Sequence, residues 1–459
     1  MSRGGRGRQR RIDDAAAAIA GAFLAGPWDP ASMGRRAKRA VGDRRHWPTR
    51  LAEVVVRGYP EPPRDRPREL AGFVAACTLF REAADDPDRP LRVAVWATGA
   101  PTAMVTRRWG VPAIDDVEAL ARWLAVDLDH LAWFADRRRS ERTVADVRLV
   151  HHHRTWIRKA DGSPRLLEAP KRELKDLQRQ VLHEILDRIP AHDAAHGFRP
   201  GRSAATGAGL HTGRAVVIGL DLEAFFTSVR GGRVYGVFRY AGYPEPVAHA
   251  LAALCTTTTP VRIRAAAPAV RDPDQVARRR RLLDALAGPH LAQGAPTSPA
   301  LANLVAFGLD RRLAGLAAAA GLTYTRYADD LTFSGPGDLR RRAPAVVDLV
   351  RRIAADEGFR LHEGKTRVRT ASQRQIVTGL VVNRTAQVAR SDVDRLRAQL
   401  HRAATHGPAA VAGAAGHPDL RRHLEGRVAW AGTGNPRRAA RLQAALDRIE
   451  WPNDDGSSS

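Results

Sequence analysis

Two adjacent carboxylates, Asp329 and Asp330, lie within residues 322–335, whose sequence is LTYTRYADDLTFSG. Alternation of apolar and polar residues leads up to the pair and resumes after it, which predicts a β-hairpin with the acids at its turn. Two negative charges this close together are costly unless a cation neutralises them, and divalent metal ions commonly do so. A solvated turn is the alternative interpretation of any single acid pair.

A third acid follows the apolar run at residues 215–220 (AVVIGL), which is rich in β-branched residues and leads directly into Asp221. This pattern predicts a buried strand that delivers a carboxylate to the edge of a sheet. In two-metal phosphoryl transfer, ions about 3.5–4 Å apart are held by carboxylates from separate strands. If the strand and the hairpin share one sheet, Asp221, Asp329 and Asp330 meet that demand, and a solvated turn becomes the weaker interpretation.

The YADD segment, preceded by a strand that ends in LDLEAFFTSV, resembles the palm of a reverse transcriptase. Four more segments resemble blocks of that family in the family's order: two fingers blocks, a block beneath the template and incoming nucleotide, and a block after the hairpin. These are 154–170 (RTWIRKADGSPRLLEAP), 195–203 (AHGFRPGRS), 293–303 (QGAPTSPALAN) and 358–368 (GFRLHEGKTRV). The series covers roughly residues 140–385 and is more specific than any single motif.

The resemblance implies an α+β fold of the right-hand polymerase type. Such a fold has fingers, a palm whose antiparallel sheet carries the YADD hairpin, and a helical thumb. A mostly helical N-terminal extension is predicted ahead of it. The predicted domains are a basic disordered tail (1–11), the N-terminal extension (12–139), fingers and palm (140–385, with an insertion at about 256–289), an RNA-binding thumb (386–452) and a polar tail (453–459).

Two segments narrow the resemblance to the bacterial retron reverse transcriptases. Residues 375–383 (QIVTGLVVN) contain the VTG signature of that branch, and residues 207–211 (GAGLH) resemble its Asn-Ala-x-x-His element. Gly207 departs from the pattern, because glycine cannot supply the amide of the usual asparagine. The VTG segment therefore carries more of the weight. The matching residues are Val377, Thr378, Gly379, Ala208 and His211.

Helical periodicity predicts the elements around these blocks. Apolar residues recur at intervals of three and four within one segment of the N-terminal extension, one segment of the fingers and three segments of the thumb. Pro190 is predicted to end the fingers helix, since proline interrupts a helix. The predicted helical segments are 115–136, 171–189, 391–406, 419–433 and 436–449.

The resemblance also implies the site. Two Mg²⁺ ions would be bound by Asp221, Asp329 and Asp330, the catalytic residues. The nucleotide-binding residues it implies are Lys159 and Arg165 at the triphosphate, Lys365 at the leaving pyrophosphate, Phe226 against the sugar to exclude a 2′-hydroxyl, and Gln293 in the nucleotide pocket. The primer and template contacts it implies are Tyr327, Arg199 and Arg427.

Composition is consistent with a nucleic-acid partner. The 459 residues include 74 Lys and Arg against 49 Asp and Glu, a formal net charge of +25, and a polymer of phosphates suits such a charge. Cys77 and Cys255 lie far apart without metal-ligand spacing, which favours a reducing compartment. Residues 151–153 are three successive histidines, which in a strand would point to both faces and so could not readily share one metal. Without an apolar run long enough to span a membrane, we expect a cytoplasmic protein with no membrane partner.

The function implied by the resemblance is RNA-directed DNA synthesis from dNTPs. A retron enzyme copies its cognate structured non-coding RNA, which is both template and primer, into a branched RNA–DNA hybrid called msDNA. Such systems act in anti-phage defence, which implies an effector protein as a further partner. Two alternatives remain: another bacterial reverse transcriptase, of the group II intron or diversity-generating type, and a non-catalytic RNA-binding scaffold. The VTG segment disfavours the intron type, and the three intact acids disfavour the scaffold.

Overall fold

The computed structural model describes residues 3–96, 102–136, 140–142, 144, 146–159, 161–411 and 419–451. The chain divides into two compact units. The first unit comprises Met1–Pro190 and Val229–Leu301, and the second unit comprises Ala191–Ser228 and Ala302–Ser459. The predicted polar tail at 453–459 lies outside the described residues.

Helices dominate the described chain, with short strands between them. The helices are α1 (Arg3–Leu24), α2 (Pro30–Val41), α3 (Trp47–Gly58), α4 (Pro67–Ala76), α5 (Thr78–Asp85), α6 (Val117–Trp123), α7 (Leu128–Ala135), α8 (Arg172–Glu184), α9 (Ala204–Gly209), α10 (Phe225–Ser228), α11 (Gly231–Ala241), α12 (Glu245–Leu254), α13 (Val261–Ala265), α14 (Pro273–Leu286), α15 (Ser298–Val305), α16 (Phe307–Ala319), α17 (Leu339–Asp356), α18 (Arg390–His406), α19 (Leu420–Gly432) and α20 (Pro436–Leu446). The strands are β1 (His152–Arg158), β2 (Pro164–Pro170), β3 (Val216–Asp221), β4 (Thr323–Tyr327), β5 (Asp330–Gly335), β6 (Arg367–Thr370), β7 (Ile376–Val377) and β8 (Leu380–Val381).

The N-terminal part of the first unit is a helical layer around a buried apolar cluster. Helices α1 to α5 contribute to this cluster, which includes Ile19, Phe23, Met33 and Leu51. Residues 3–11, for which the composition predicted a disordered tail, are part of α1. Adding a residue to an existing helix is easier than starting one, and the buried part of α1 allows the helix to extend toward its N-terminus.

The segment 115–136 forms two helices where the periodicity predicted one. Helix α6 ends at Trp123 and α7 begins at Leu128. Between them Ala125 has a left-handed φ of 55°, and Asp127 caps α7 by accepting a hydrogen bond of 2.7 Å from the backbone amide of His130. The side-chain cap competes with helix continuation, because it satisfies an amide that an unbroken helix would bond itself.

Strands β1 and β2 pair in antiparallel fashion, from His152 opposite Pro170 to Arg158 opposite Pro164, so the segment predicted to be the fingers hairpin does form a hairpin. Helix α8 follows, as predicted, but it ends at Glu184, and a single 3₁₀ turn covers Leu186–Arg188. The predicted insertion at 256–289 contains α13 and α14. Both cysteines are unpaired, and Cys255 is buried.

A four-stranded antiparallel sheet lies in the second unit, in the order β4-β5-β3-β6. One face of the sheet packs against α16 and α17 and carries buried apolar residues such as Ile218, Leu220, Leu331 and Phe333. Because side chains alternate between the two faces of a strand, Asp221 and Asp330 belong to the opposite face. The two acids thus lie on the face of the sheet opposite the residues that pack against α16 and α17.

The three predicted thumb helices are present as α18, α19 and α20. They pack around a second apolar cluster that includes Leu396, Leu400, Leu424 and Leu442. Among the described residues, no helix is both long enough and apolar enough to cross a membrane.

The break between α6 and α7 leads to a stability prediction. Ala125 is exposed and pays a steric cost in the left-handed region that glycine does not. We expect Ala125→Gly to raise the free energy of unfolding by about 0.5–1 kcal/mol. The relief of backbone strain in the folded state should outweigh the greater conformational entropy of glycine in the unfolded state. Urea denaturation measures the change.

The matched control is Ala132→Gly, at an exposed position within α7. There the same substitution should lower the free energy of unfolding by about 1 kcal/mol, because glycine is a poor helix former. A destabilisation by Ala125→Gly as large as that of the control would contradict the assignment of strain to Ala125.

Candidate active site

The structure brings the predicted acids together at one end of the sheet. Strand β3 ends at Asp221 and β5 begins at Asp330, and the two residues are directly opposite each other in the antiparallel register. Asp329 lies in the two-residue loop that joins β4 to β5, and its carbonyl accepts a hydrogen bond of 2.9 Å from the amide of Leu222. The predicted sharing of one sheet by strand and hairpin is therefore confirmed.

The acids are only partly compensated by positive charge. The ammonium of Lys365 lies 2.8 Å from Oδ1 of Asp221. Burial, followed by the charges of Asp329 and Asp221, raises the pKa of Asp330 from 3.8 to about 6, although more than a third of that residue is exposed, and Lys365 opposes the shift. Lys365 therefore offsets only part of the rise in the pKa of Asp330.

Hard divalent cations prefer carboxylate oxygens, so the donor set fits such an ion. Within the described ranges, no three His, Cys, Asp or Glu side chains already stand close enough to form a metal site. One carboxylate oxygen of Asp221 is instead in contact with the ammonium of Lys365. The fit thus rests on the chemistry of the donors.

Aromatic rings contact one another in a group that includes Tyr327, the last residue of β4 before the acid-bearing turn. The ring of Phe198 lies 6.1 Å from that of Tyr327 and 6.2 Å from that of Phe226, between ring centres. Phe225 packs against Phe226 at 5.6 Å and lies in the core. Sequence reasoning identified Tyr327 and Phe226 but missed Phe198, which is half exposed and has a left-handed φ of 56°. A large apolar residue within the basic loop 195–203 was the available signal.

The remaining predicted nucleotide contacts lie in the first unit. The amide of Lys159 donates to the carbonyl of Ser163 at the tip of the β1–β2 hairpin, and Arg165 is in β2 opposite Ile157. The carbonyl of Gln293 accepts a hydrogen bond of 3.0 Å from the amide of Glu168 in β2. The hairpin and the segment after residue 292 are thus joined within one unit.

The two predicted template contacts in the second unit have protein partners. The guanidinium of Arg199 donates to the carbonyls of His192 and Ala195, at 2.7 and 3.3 Å. That of Arg427 donates to the amide oxygen of Gln399. Both side chains therefore order their own surroundings, and their contact with nucleic acid stays a prediction.

The VTG segment is a tight hairpin turn. Strands β7 and β8 pair with Val377 opposite Leu380, and the two loop residues, Thr378 and Gly379, have left-handed φ values of 47° and 83°. Left-handed conformations at both loop positions define a type I′ turn, which favours glycine at the second. The hydroxyl of Thr378 donates to the carbonyl of Ala204 at 3.1 Å. A cavity of about 290 Å³ is lined by this turn and by Asp221, Asp330, Lys365, Arg367 and Arg369.

His211 joins the two strands of the acid-bearing hairpin. It is fully buried, with Nδ1 at 2.7 Å from Oγ of Ser334 in β5 and Nε2 at 2.8 Å from Oγ1 of Thr325 in β4. Burial, together with the charges of Arg214 and His196, lowers the pKa of His211 to about 4. The imidazole is therefore neutral, with a structural role that the spacing did not reveal.

The exception at Gly207 has a local cause. A Cβ atom at this position would lie 3.2 Å from Cβ of His196. Nδ1 of His196 is 2.9 Å from the hydroxyl of Thr206, which keeps the ring beside the helix. An asparagine at position 207 would require this histidine to move.

Comparison with known proteins identifies the family of this chain. A family model described as "Reverse transcriptase (RNA-dependent DNA polymerase)" matches residues 157–382. The chain is 42% identical to the retron Mx65 reverse transcriptase of Myxococcus xanthus over 73% of this chain and 72% of that protein. The retron Mx162 reverse transcriptase of the same organism is also 42% identical, over 64% of this chain and 59% of that protein. The retron Ec86 reverse transcriptase of Escherichia coli is 32% identical, over 52% of this chain and 64% of that protein. The chain belongs to the retron reverse transcriptases.

The protein is therefore an RNA-directed DNA polymerase that copies an RNA template, and its family normally uses a divalent metal. The reverse transcriptase match and the mixture of helix and sheet fit the predicted right-hand polymerase. A solved structure of telomerase from Candida albicans with a TWJ fragment of telomeric RNA aligns over 65% of this chain and 63% of that chain, with a TM-score of 0.35 and 9% identity. That similarity is too low to support an inference.

The buried imidazole leads to a prediction about pH. Folding lowers the pKa of His211 from 6.5 to about 4, so within that window the unfolded chain binds a proton that the folded chain does not. The stability contributed by neutral His211 is complete above pH 6.5 and is lost as the pH falls toward 4. The His211→Gln variant should not show this loss. Its free energy of unfolding should therefore change less steeply with pH than that of wild type, by up to about 1.4 kcal/mol per pH unit. Urea denaturation between pH 7.5 and 4.5 measures it.

At pH 7.5 the same variant should be less stable than wild type by about 1–3 kcal/mol, because two buried hydroxyls lose their partner. His183→Gln, at an exposed position in α8, is the control and should keep the wild-type slope. An unchanged slope in His211→Gln would contradict the neutral, buried state of this histidine.

Proposed function

We propose that this retron reverse transcriptase catalyses nucleotidyl transfer at Asp221, Asp329 and Asp330, and that the ions it uses there are two Mg²⁺. The observation that carries the proposal is the register of β3 with β5, which sets Asp221 opposite Asp330 with Asp329 one residue away. When bound, the ions would lower the barrier to attack by the primer hydroxyl and neutralise charge on the triphosphate.

The side chains around the acids have separate proposed roles. Lys365 contacts Asp221 and is the cation placed to compensate the leaving pyrophosphate. Phe226 packs against the sugar of the incoming nucleotide and excludes a 2′-hydroxyl. Tyr327 contacts the primer end, and Phe198 extends the same aromatic surface. These roles need one rigid group of rings beside the acids, which the ring contacts supply.

The first unit supplies the other proposed nucleotide contacts. Lys159 and Arg165, on the β1–β2 hairpin, bind the triphosphate, because their charges suit phosphate oxygens. Gln293 lines the nucleotide pocket. Arg199 and Arg427 contact the template-primer duplex, where arginine can bind phosphate in a planar, bidentate manner.

The substrate we propose is a structured non-coding RNA that serves as both template and primer. Synthesis begins at the 2′-hydroxyl of an internal guanosine and yields the branched msDNA, within a cytoplasmic anti-phage system that includes an effector protein. Two observations support this proposal: the retron names of the relatives, and the VTG turn that lines the same cavity as the acids.

The acid site can be tested by replacing Asp329 and Asp330 with Asn. Loss of two negative charges removes the metal-binding donors, so we expect DNA synthesis to fall by at least about 1,000-fold. RNA binding should remain within about threefold of wild type, because the substitutions keep side-chain size. Incorporation of labelled dNTPs on a primed RNA and a filter-binding titration measure the two quantities.

The control for this experiment is Asp356→Asn, at an exposed surface position paired with Arg312. It should retain at least about half of the wild-type activity, because exposed ion pairs contribute little. Persistent DNA synthesis by the Asp329→Asn, Asp330→Asn double variant would refute the assignment of the site.

The retron substrate can be tested in cells. The enzyme is co-expressed with the DNA immediately upstream of its gene, where the proposal expects a short inverted-repeat RNA to be encoded, and the small DNA is isolated. We expect a DNA whose 5′ end is joined to RNA, so that treatment with a 2′,5′-debranching enzyme shifts its mobility on a denaturing gel. The acid-site double variant is the matched control and should give no such DNA. A linear DNA in wild-type cells would favour a generic bacterial reverse transcriptase.

A further inference from the structure

A buried arginine lies directly before the acid-bearing turn. Arg326, in β4, has no exposed surface, and neither has its partner Asp310 in α16. The guanidinium donates two hydrogen bonds to the two carboxylate oxygens, at 2.8 and 2.6 Å. Burying a charge is expensive, so such a pair persists only where further hydrogen bonds complete it. The partners of Arg326 therefore show what the pair holds in place.

Its remaining bonds reach the turn and a neighbouring helix. One nitrogen, Nη1, donates to the amide oxygen of Asn303 at 2.9 Å and to the carbonyl of Ala328 at 3.1 Å. Asn303 in turn donates to the carbonyl of Gly197 at 2.9 Å. The guanidinium thus connects α16, the segment at Asn303, the segment at Gly197 and the turn.

The network is fully paired on the side of Asp310 as well. The hydroxyl of Tyr324 donates to Oδ1 of Asp310 at 2.8 Å. Burial alone would lower the pKa of Arg326, but the charge and hydrogen bonds of Asp310 raise it, so the guanidinium stays protonated. Burial and the charge of Asp310 also hold the pKa of Tyr324 well above its usual value, so its hydroxyl remains a donor.

The carbonyl held by Arg326 belongs to a strained residue. Ala328 has a φ of 54°, a left-handed conformation that is sterically unfavourable for an alanine. Its carbonyl is part of the peptide group that leads into Asp329, so fixing that carbonyl fixes the direction in which Asp329 leaves the turn. The next carbonyl, of Asp329 itself, is held by the amide of Leu222. Two consecutive peptide groups of the turn are therefore pinned.

The other side of the turn is closed by backbone. A Cβ atom on Gly197 would lie 2.9 Å from the amide nitrogen of Ala328, so the turn packs where only glycine fits. The backbone of Arg326 is also bonded, with its amide donating to Ala194 and its carbonyl accepting from His196, both at 2.7 Å. The backbone of the turn is therefore held on one side by the guanidinium of Arg326 and on the other by the segment that contains His196 and Gly197.

We propose that Arg326 is a positioning residue for DNA synthesis: its guanidinium, anchored on Asp310 and Asn303, holds the Ala328 carbonyl and so keeps Asp329 in its working orientation. The inference rests on the proposed function of Asp329 as a catalytic acid. Lysine cannot replace arginine here, because one ammonium cannot bind the carboxylate in a bidentate manner and also reach Asn303 and Ala328.

The first test is Arg326→Lys, which keeps the positive charge beside Asp310. A displacement of about 1 Å at the reacting groups can cost about 100-fold, so we expect kcat to fall by that order. The KM for dNTPs and the Kd for the primed RNA should stay within about threefold, because Arg326 is buried and touches neither in this arrangement. Single-nucleotide incorporation kinetics measure kcat and KM separately.

The decisive test is recovery by Ala328→Gly. Glycine adopts a positive φ without strain, so the turn needs less help from the guanidinium. In the Arg326→Lys background, Ala328→Gly should raise kcat at least about fivefold, whereas in the wild-type background it should not raise kcat. A role of Arg326 in global stability alone predicts no such recovery.

The control for the arginine substitution is Arg312→Lys on the same helix as Asp310. Arg312 pairs with Asp356 and Glu357 at 2.7 and 3.2 Å on the surface, with 37% of its side chain exposed. We expect its kcat to change by less than about twofold. If Arg326→Lys does not fold, Tyr324→Phe removes one bond to Asp310 and leaves both charges in place. Its kcat should then fall about threefold to fivefold with the fold retained.

The outcomes separate this inference from the proposed function. If the Asp329→Asn, Asp330→Asn variant still synthesises DNA, the proposed function fails whatever Arg326 does. If that variant is inactive but Arg326→Lys, or Tyr324→Phe in its place, keeps wild-type kcat, the inference alone is overturned. A loss of kcat in Arg326→Lys that follows a loss of thermal stability and is not recovered by Ala328→Gly also overturns it.

Discussion

Electrostatic repulsion among three carboxylates is the constraint on which the second unit depends. Asp221 and Asp330 face each other across paired strands, with Asp329 beside them, and Lys365 forms an ion pair with Asp221. Burial, together with repulsion from Asp329 and Asp221, raises the pKa of Asp330 to about 6, so separating the acids would relieve part of this cost if their backbones were free. Keeping such a group together requires rigid strands and a turn held from outside.

The surrounding structure supplies that rigidity through buried polar contacts. His211 bonds both strands of the hairpin, and Arg326 bonds the turn itself. Each of these side chains forms hydrogen bonds with polar groups in the protein interior. Removing either side chain would leave those groups unpaired, which is energetically costly in a buried site. His211, a residue of the retron signature, thus has a structural role in this chain, since it hydrogen-bonds hydroxyls on both strands of the acid-bearing hairpin. Thr378, from the other signature, similarly bonds Ala204 at the start of α9.

Prediction from sequence was most successful where a pattern repeats locally. Alternation predicted the β4–β5 hairpin, and periodic apolar residues predicted the thumb helices. The prediction of a single helix was wrong at 115–136, because the capping residue Asp127 begins a second helix within the periodic segment. The domain boundaries and the roles of the single side chains at the site stay predictions.

The sequence by itself determined the identity of the acids, the strand and hairpin that carry them, and membership of a family, because each of these depends on residues that are neighbours in the chain. Only the tertiary structure decided that Asp221 lies opposite Asp330, that His211 spans Thr325 and Ser334, and that Arg326 pairs with Asp310. The physical reason is that local periodicity reports which face of an element is apolar. The partner of a buried polar group depends on how elements that are distant in the chain pack together, and the local composition does not record that packing.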